Sequence, residues 1–161
     1  MEIRCRPAAP TTAMDAYLVI GNPNTRKASL LRSLSGCYQR SVRDIQPLGG
    51  QPVLRLYARA GALQHTRTTP SDFIAEVERV RCNALLCCLA PEADPDHLEL
   101  LPAAPDYVAA FEAAGWRIRA IAVLGQNGGG VRSARLHQFA QAPVAPINHT
   151  ARLVRAHFGW E

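Results

Sequence analysis

Lysine is nearly missing from this chain: of its 18 basic residues only Lys27 is a lysine, the other 17 being arginine. Chemistry that needs a compact, flexible ammonium therefore has one position to use. No apolar run approaches the roughly 18 residues of a membrane-spanning helix, which argues against that class. Residues 1–13 hold arginines and a Pro-Ala-Thr stretch without an apolar core segment, so they do not read as a secretory signal. They read instead as a loose tail, with Met14 a second candidate start. No C-x-x-C pair occurs among the five cysteines, Cys5, Cys37, Cys82, Cys87 and Cys88. Cys87 and Cys88 adjoin in an apolar run whose side chains alternate between faces, so they are poorly placed to grip one metal together. Buried, reduced thiols in a cytoplasmic protein are the expectation. The five histidines form no H-x-x-x-H pair and have no acid at ligand spacing, so no metal site is expected.

The 161 residues read as one domain, 14–161, behind the 1–13 tail. That length is enough to bury about 70% of the unfolded surface without disulfides. The net charge of +5 permits an acidic partner without naming one. Apolar runs predict strands at Ala16–Ile20, Tyr38–Ile45, Val53–Tyr57, Ala84–Leu89, Ile118–Leu124 and Pro143–Ile147. The turn residues of Gln46-Pro-Leu-Gly-Gly-Gln-Pro52 join the second and third of these into a hairpin. Leu30, Leu31 and Leu34 form the apolar stripe of a helix capped by Asn24 or Thr25 and ended by Gly36. Thr69-Pro-Ser-Asp72 opens another helix, with Phe73, Ile74, Val77 and Val80 on its buried side. Further helices are expected at Pro95–Leu101, Pro105–Ala114, Val131–Phe139 and Thr150–His157. Alternating strands and helices point to an α/β fold: a mostly parallel sheet with one antiparallel edge hairpin and helices on both faces.

One stretch carries chemistry. Tyr17-Leu-Val-Ile-Gly-Asn-Pro-Asn-Thr-Arg-Lys-Ala-Ser-Leu runs from a buried strand through a tight turn into a helix. That is the layout of a phosphate-binding P-loop, in which backbone N–H groups and a lysine cradle an anion at a helix N-terminus. Against G-x-x-x-x-G-K-[ST], Gly21 and Lys27 hold their places, whereas Arg26 replaces the second glycine and Ala28 replaces the hydroxyl. The phosphate-binding candidates are Gly21, Asn24, Thr25, Arg26, Lys27, Ala28 and Ser29.

Gly21-Asn-Pro-Asn-Thr-Arg-Lys-Ala-Ser-Leu, followed by Leu34-Ser-Gly36, resembles the first nucleotide motif of bacterial small GTPases. The Era/Der-like proteins and the G domain of ferrous iron transporter B are the nearest in pattern. The likeness covers about sixteen residues and implies a three-layer P-loop NTPase/Ras-like fold holding GTP/GDP, or ATP/ADP. Carried further along the chain, the family's motifs are altered. Its D-x-x-G falls on Ala58-Arg-Ala-Gly61 without the acid, and no threonine occurs between Thr25 and Thr66 to serve its switch. Its N-K-x-D becomes Gly125-Gln-Asn-Gly, leaving Asn127 as a base-binding candidate, with Asn148 in the position of the last loop. Phosphoryl transfer needs positioning and Mg²⁺ charge neutralisation, and the groups that would hold the metal are replaced. The resemblance thus implies a non-hydrolysing pseudo-GTPase that binds a nucleotide or phosphate without Mg²⁺ and has no catalytic residue. An atypical NTPase or nucleotide-dependent transferase, with Arg26 supplying the metal's charge, is the alternative.

Other features carry less. Gly128–Gly130 suits a helix-capping loop better than a second anion nest. Asp94, Asp96 and Glu99 suit solvation and capping. Arg55, Tyr57 and Arg59 share one face of the hairpin by the period of two, making that edge the candidate surface for a protein partner. A nucleic-acid backbone is a weaker fit, because the arginines are dispersed. A scaffold that binds a partner and no nucleotide also remains open.

Overall fold

The computed structural model describes residues 14–36 and 40–160; the 1–13 tail, Cys5, Cys37 and the start of the strand expected from Tyr38 lie outside them. Six strands form one sheet: β1 (Asp15–Gly21), β2 (Arg40–Ile45), β3 (Leu54–Ala62), β4 (Ala84–Leu89), β5 (Arg117–Leu124) and β6 (Leu136–Phe139). Four α-helices accompany them, α1 (Lys27–Ser35), α2 (Pro70–Glu78), α3 (Ala104–Ala113) and α4 (Ile147–Phe158). Across the sheet the order is β2-β3-β4-β1-β5-β6. Only the β2–β3 pair is antiparallel, so the expected hairpin lies at one edge of an otherwise parallel sheet.

The alternation of side chains explains why the inner strands are apolar throughout. Tyr17 and Val19 of β1 point to one face, into a cluster with Leu30, Leu31 and Leu34 of α1 and Ala151, Val154 and Phe158 of α4. Ala16, Leu18 and Ile20 point to the other, into a cluster with Phe73 and Val77 of α2 and Tyr107 and Phe111 of α3. A sheet covered on both faces leaves no position for a polar residue, which is why Ala84–Leu89 is fully buried. Burying each leucine of the α1 stripe contributes about 1.5–3 kcal/mol. Thr69 caps α2 as expected, its hydroxyl accepting from the Asp72 N–H at 3.1 Å behind Pro70.

Several expected elements differ. The segment read as a helix over Val131–Phe139 is a loop followed by β6, whose residues Leu136 to Phe139 pair with Ile121 to Leu124. Pairing to β5 overrides helix propensity there. The strand read at Pro143–Ile147 is a set of turns, in which the Val144 and Ala145 N–H groups both donate to the Gln141 carbonyl. Prolines 143 and 146 lack the donors a ladder needs. α4 consequently starts at Ile147, earlier than Thr150. No helix forms over Pro95–Leu101. β3 runs on to Ala62, past a register shift between Ala58 and Ala62 against β4. No helix among the described residues is long and apolar enough to cross a membrane.

Candidate functional site

The segment after Gly21 makes a tight bend from the inner strand β1 into α1. Its shape is fixed from within. The Thr25 hydroxyl donates to the Asn22 carbonyl at 2.7 Å. A Cβ on Gly21 would sit 2.4 Å from that same hydroxyl oxygen, so the position requires glycine. Asn24 and Arg26 both take the left-handed conformation, with φ of 68° and 70°. For a residue with a Cβ such as Arg26 this costs roughly 1–2 kcal/mol. Neither Asn24 nor Thr25 caps α1; Arg26 is the cap residue, and no side chain there accepts a hydrogen bond.

Arg26 reaches across to the turns ahead of α4, its guanidinium donating to the Ala145 carbonyl. Lys27 turns back on the bend: its ammonium donates to the carbonyls of Gly21 at 2.8 Å and Asn22 at 2.9 Å. The side chain is buried, and burial holds its pKa below the ordinary 10.5. Ahead of Leu30, the first residue to donate along the helix, the N–H groups of Lys27, Ala28 and Ser29 lie in the turn that has no intrahelical acceptor. Ala28 borders the cavity described next; Ser29 is exposed and does not.

Two cavities flank the bend. One, of about 330 Å³, lies between Arg26, Lys27 and Ala28 on one side and, on the other, Gly61 and Ala62 at the end of β3 with His65 after it. The second, of about 210 Å³, lies between Asn22, Gln64, His65, Glu92 and Asp94. Pro23 and His65 border both. Their place is the crevice outside the carboxyl ends of β1, β3 and β4. There the chain leaves β1 for α1 on one face and β4 for α3 on the other, the topological arrangement that favours ligand sites in open α/β sheets.

Asn127 joins this region through the protein itself. Its amide donates to the Asn22 side chain at 3.0 Å and accepts from the Gly129 N–H at 3.0 Å. A Cβ on Gly129 would meet the Pro91 carbonyl oxygen at 2.3 Å, so the loop after β5 lies directly on the loop after β4. Asn148 is placed apart, exposed on α4, with Ser33 of α1 donating to it at 3.4 Å. Neither asparagine borders the two cavities at the bend.

Tyr57 and Arg59 do not form a surface with Arg55. Tyr57 donates to Glu76 at 2.6 Å, and Arg59 pairs with Glu76 at 3.0 Å and bonds the hydroxyls of Thr66 and Thr68. Both lie buried beneath α2, and only Arg55 is exposed. A face that is open in an isolated hairpin is closed here by the helix that follows it. Burial first, and then the bond to Glu76, push the Tyr57 pKa up to about 12.

His65 and Glu92 are the site neighbours that sequence reasoning missed; the only signal for His65 was its position four residues after Gly61. Asp94 accepts from the Asp96 N–H at 2.8 Å in a turn, not at a helix start, because no helix follows it. Among the described residues no group of three or more His, Cys, Asp or Glu side chains is placed to hold a metal ion. No family model matches the chain, and neither a curated protein nor a solved structure matches it.

Proposed function

We propose that the chain is a degenerate P-loop protein that binds a phosphate-bearing ligand, a nucleotide or a simpler phosphate, at the β1–α1 bend without turning it over. The observation that carries the reading is Lys27: the one lysine of the chain stands buried at the head of α1, beside a cavity into which the helix's first turn opens. An ammonium has three donors. Two are taken by the carbonyls of Gly21 and Asn22, and the third is available to an anion oxygen. The first-turn N–H groups and the helix dipole favour the same charge. Ala28 and the Ala58–Gly61 segment offer no oxygen side chain for a metal, and β4 separates that segment's strand from β1. This supports a binding or regulatory module over an NTPase or transferase.

The test is a melting-temperature series with GTP, GDP, ATP and pyrophosphate, each with Mg²⁺ or EDTA, on the wild type and Lys27→Ala. Ligand at 100 times Kd adds about 2.7 kcal/mol. For a domain of this size that is about 5–10 °C. Stabilisation that survives EDTA and disappears in Lys27→Ala supports the proposal. Phosphate release that requires Mg²⁺ would replace it with an enzyme, and no shift with any of the four would replace it with a scaffold.

A further inference from the structure

A larger cavity lies elsewhere, between the edge strand β6 and α4. His137 and Phe139, two residues apart, share one face of β6. On α4, His149, Leu153 and His157 recur every four residues and so share one side of the helix. All five border a cavity of about 420 Å³, within the size range of small-molecule sites. Its wall is made of rings: centroid to centroid, His137 lies 4.7 Å from Phe139 and 5.6 Å from His157, and Phe139 lies 5.9 Å from His157. The His157 Nε2 stands 3.1 and 3.0 Å from the carbonyls of Ile121 and Arg135, so it carries the proton and the ring is held in place. Of the described residues that border the cavity, none is an acid, a lysine or an arginine. The interior therefore suits a flat ring that brings no charge of its own.

The charge lies at the rim. Arg135 stands immediately before β6, and its carbonyl accepts from the Ile121 N–H, so it continues the ladder and shares the alternation of His137 and Phe139. Arg152 follows His149 by three residues, beside the ring-bearing side of α4; it is exposed and has no hydrogen bond or ion pair to a described residue. Arg26 holds the carbonyl of Ala145, itself a bordering residue. No neighbouring stretch of chain offsets these cations. Between Glu112 and Glu161 there are six arginines and no acid, and between Asp15 and Asp44 five basic residues and no acid. Those two stretches supply α1, β5, β6 and α4. Asp15 itself is taken by Arg117 at 2.8 Å. Nine of the 13 acids lie instead from Asp72 to Glu112, the stretch that builds α2 and α3 on the opposite face of the sheet. The fold thus gathers arginines that the sequence disperses, and the field over the α1–α4 face is positive.

A ring-walled pocket with cations on its rim has the two parts of a single-strand site: a stacking surface for a base, and counter-charge for the phosphates on either side of it. In a duplex the base faces are already stacked on one another, and an acidic peptide would match the rim alone. We propose that the β6–α4 face binds a single-stranded nucleic acid, with one base against His137, Phe139 and His157 and the flanking phosphates on Arg135 and Arg152. The site goes beyond the phosphate reading and needs neither Lys27 nor the two cavities at the bend.

The experiment follows the fluorescence anisotropy of labelled oligothymidylate and oligouridylate, each of about twelve nucleotides, as the full chain is added across a salt series. At least one of the two should bind, the choice showing which sugar is accepted, and its affinity should fall as salt rises. An abasic strand, a duplex of the same length and polyglutamate should each bind at least tenfold more weakly. His137→Ala, at an exposed position, should keep the melting temperature and weaken the strand about fivefold or more, the lower end for one stacked base. Arg152→Ala should lower the slope of log affinity against log salt by about 0.7, the share of one phosphate in a single strand. No binding of either strand, or equal binding of the abasic strand, the duplex or polyglutamate, would overturn the proposal. So would an affinity unmoved by His137→Ala or a salt slope unmoved by Arg152→Ala.

Discussion

The two cavity-bearing regions differ in what their polar groups are doing. At the β1–α1 bend they are largely engaged by the protein: Lys27 holds the carbonyls of Gly21 and Asn22, Arg26 holds that of Ala145, and Asn127 holds Asn22. Between β6 and α4, by contrast, a cavity of about 420 Å³ is walled by the rings of His137, Phe139 and His157, and neither an acid nor a lysine or arginine borders it. The bend is thus a conformation complete in itself, onto which an anion would add one further partner for Lys27. The cavity is a set of rings and small side chains that packing between β6 and α4 has brought together. A residue at a motif position describes a backbone shape, whereas the wall of a cavity is set by which elements pack together.

Three measurements break or sharpen this contrast, beginning with the largest effect. Glu76→Leu removes the partner of Arg59, whose side chain is only 8% exposed, and should cost about 3–5 kcal/mol in denaturant unfolding, the penalty of stranding a buried charge. A loss below about 1 kcal/mol would mean that Tyr57 and Arg59 are free enough to meet a partner after all. Next, Lys27→Met takes the ammonium away from the Gly21 and Asn22 carbonyls, the second of which keeps the Thr25 hydroxyl, and should destabilise by about 1–2 kcal/mol. If it stabilises instead, the ammonium is held for a ligand rather than for the bend.

The third is a pH series. Tyr57 has a folded pKa of about 12 against an ordinary 10, so the unfolded chain releases that proton first as pH rises. The stability it contributes is complete below pH 10 and is lost as pH passes 12. Cys87 and Tyr107, also raised by burial, act in the same direction; Lys27, lowered by burial, opposes them. Unfolding between pH 10 and 12 should therefore be shallower in Tyr57→Phe than in the wild type. Equal slopes would show that Tyr57 is not held buried under α2.

Much of the sheet was legible because burial on two faces writes unbroken apolar runs: Ala16–Ile20, Ala84–Leu89 and Ile118–Leu124 all became strands. The caps of α2 were legible because they are local chemistry. What failed was non-local. β6 exists because β5 offers a free edge, and nothing within residues 131–139 announces that. The cavity's histidines were hidden for the same reason, since His137 was assigned to a helix and Leu153 stands midway between His149 and His157. A search for adjacent ligand pairs passes over an i, i+8 spacing. The bend was read correctly in outline, yet Arg26's grip on Ala145 joins residues 119 apart, beyond what spacing can show.

The position of β1 has a consequence for how the chain is made. It is the earliest of the described strands, yet its neighbours are β4 and β5, whose pairing residues Ala84 and Arg117 come about 70 and 100 residues after Asp15. At roughly 5–20 residues per second, the nascent strand waits about 5 to 20 seconds for its second edge to be synthesised. Until β4 is made Tyr17 to Ile20 is an apolar, uncharged stretch with both edges open, and one edge stays open until β5 follows. A ribosome-bound holdase has its natural target there, and a pause in translation between residues 90 and 117 would prolong the exposure.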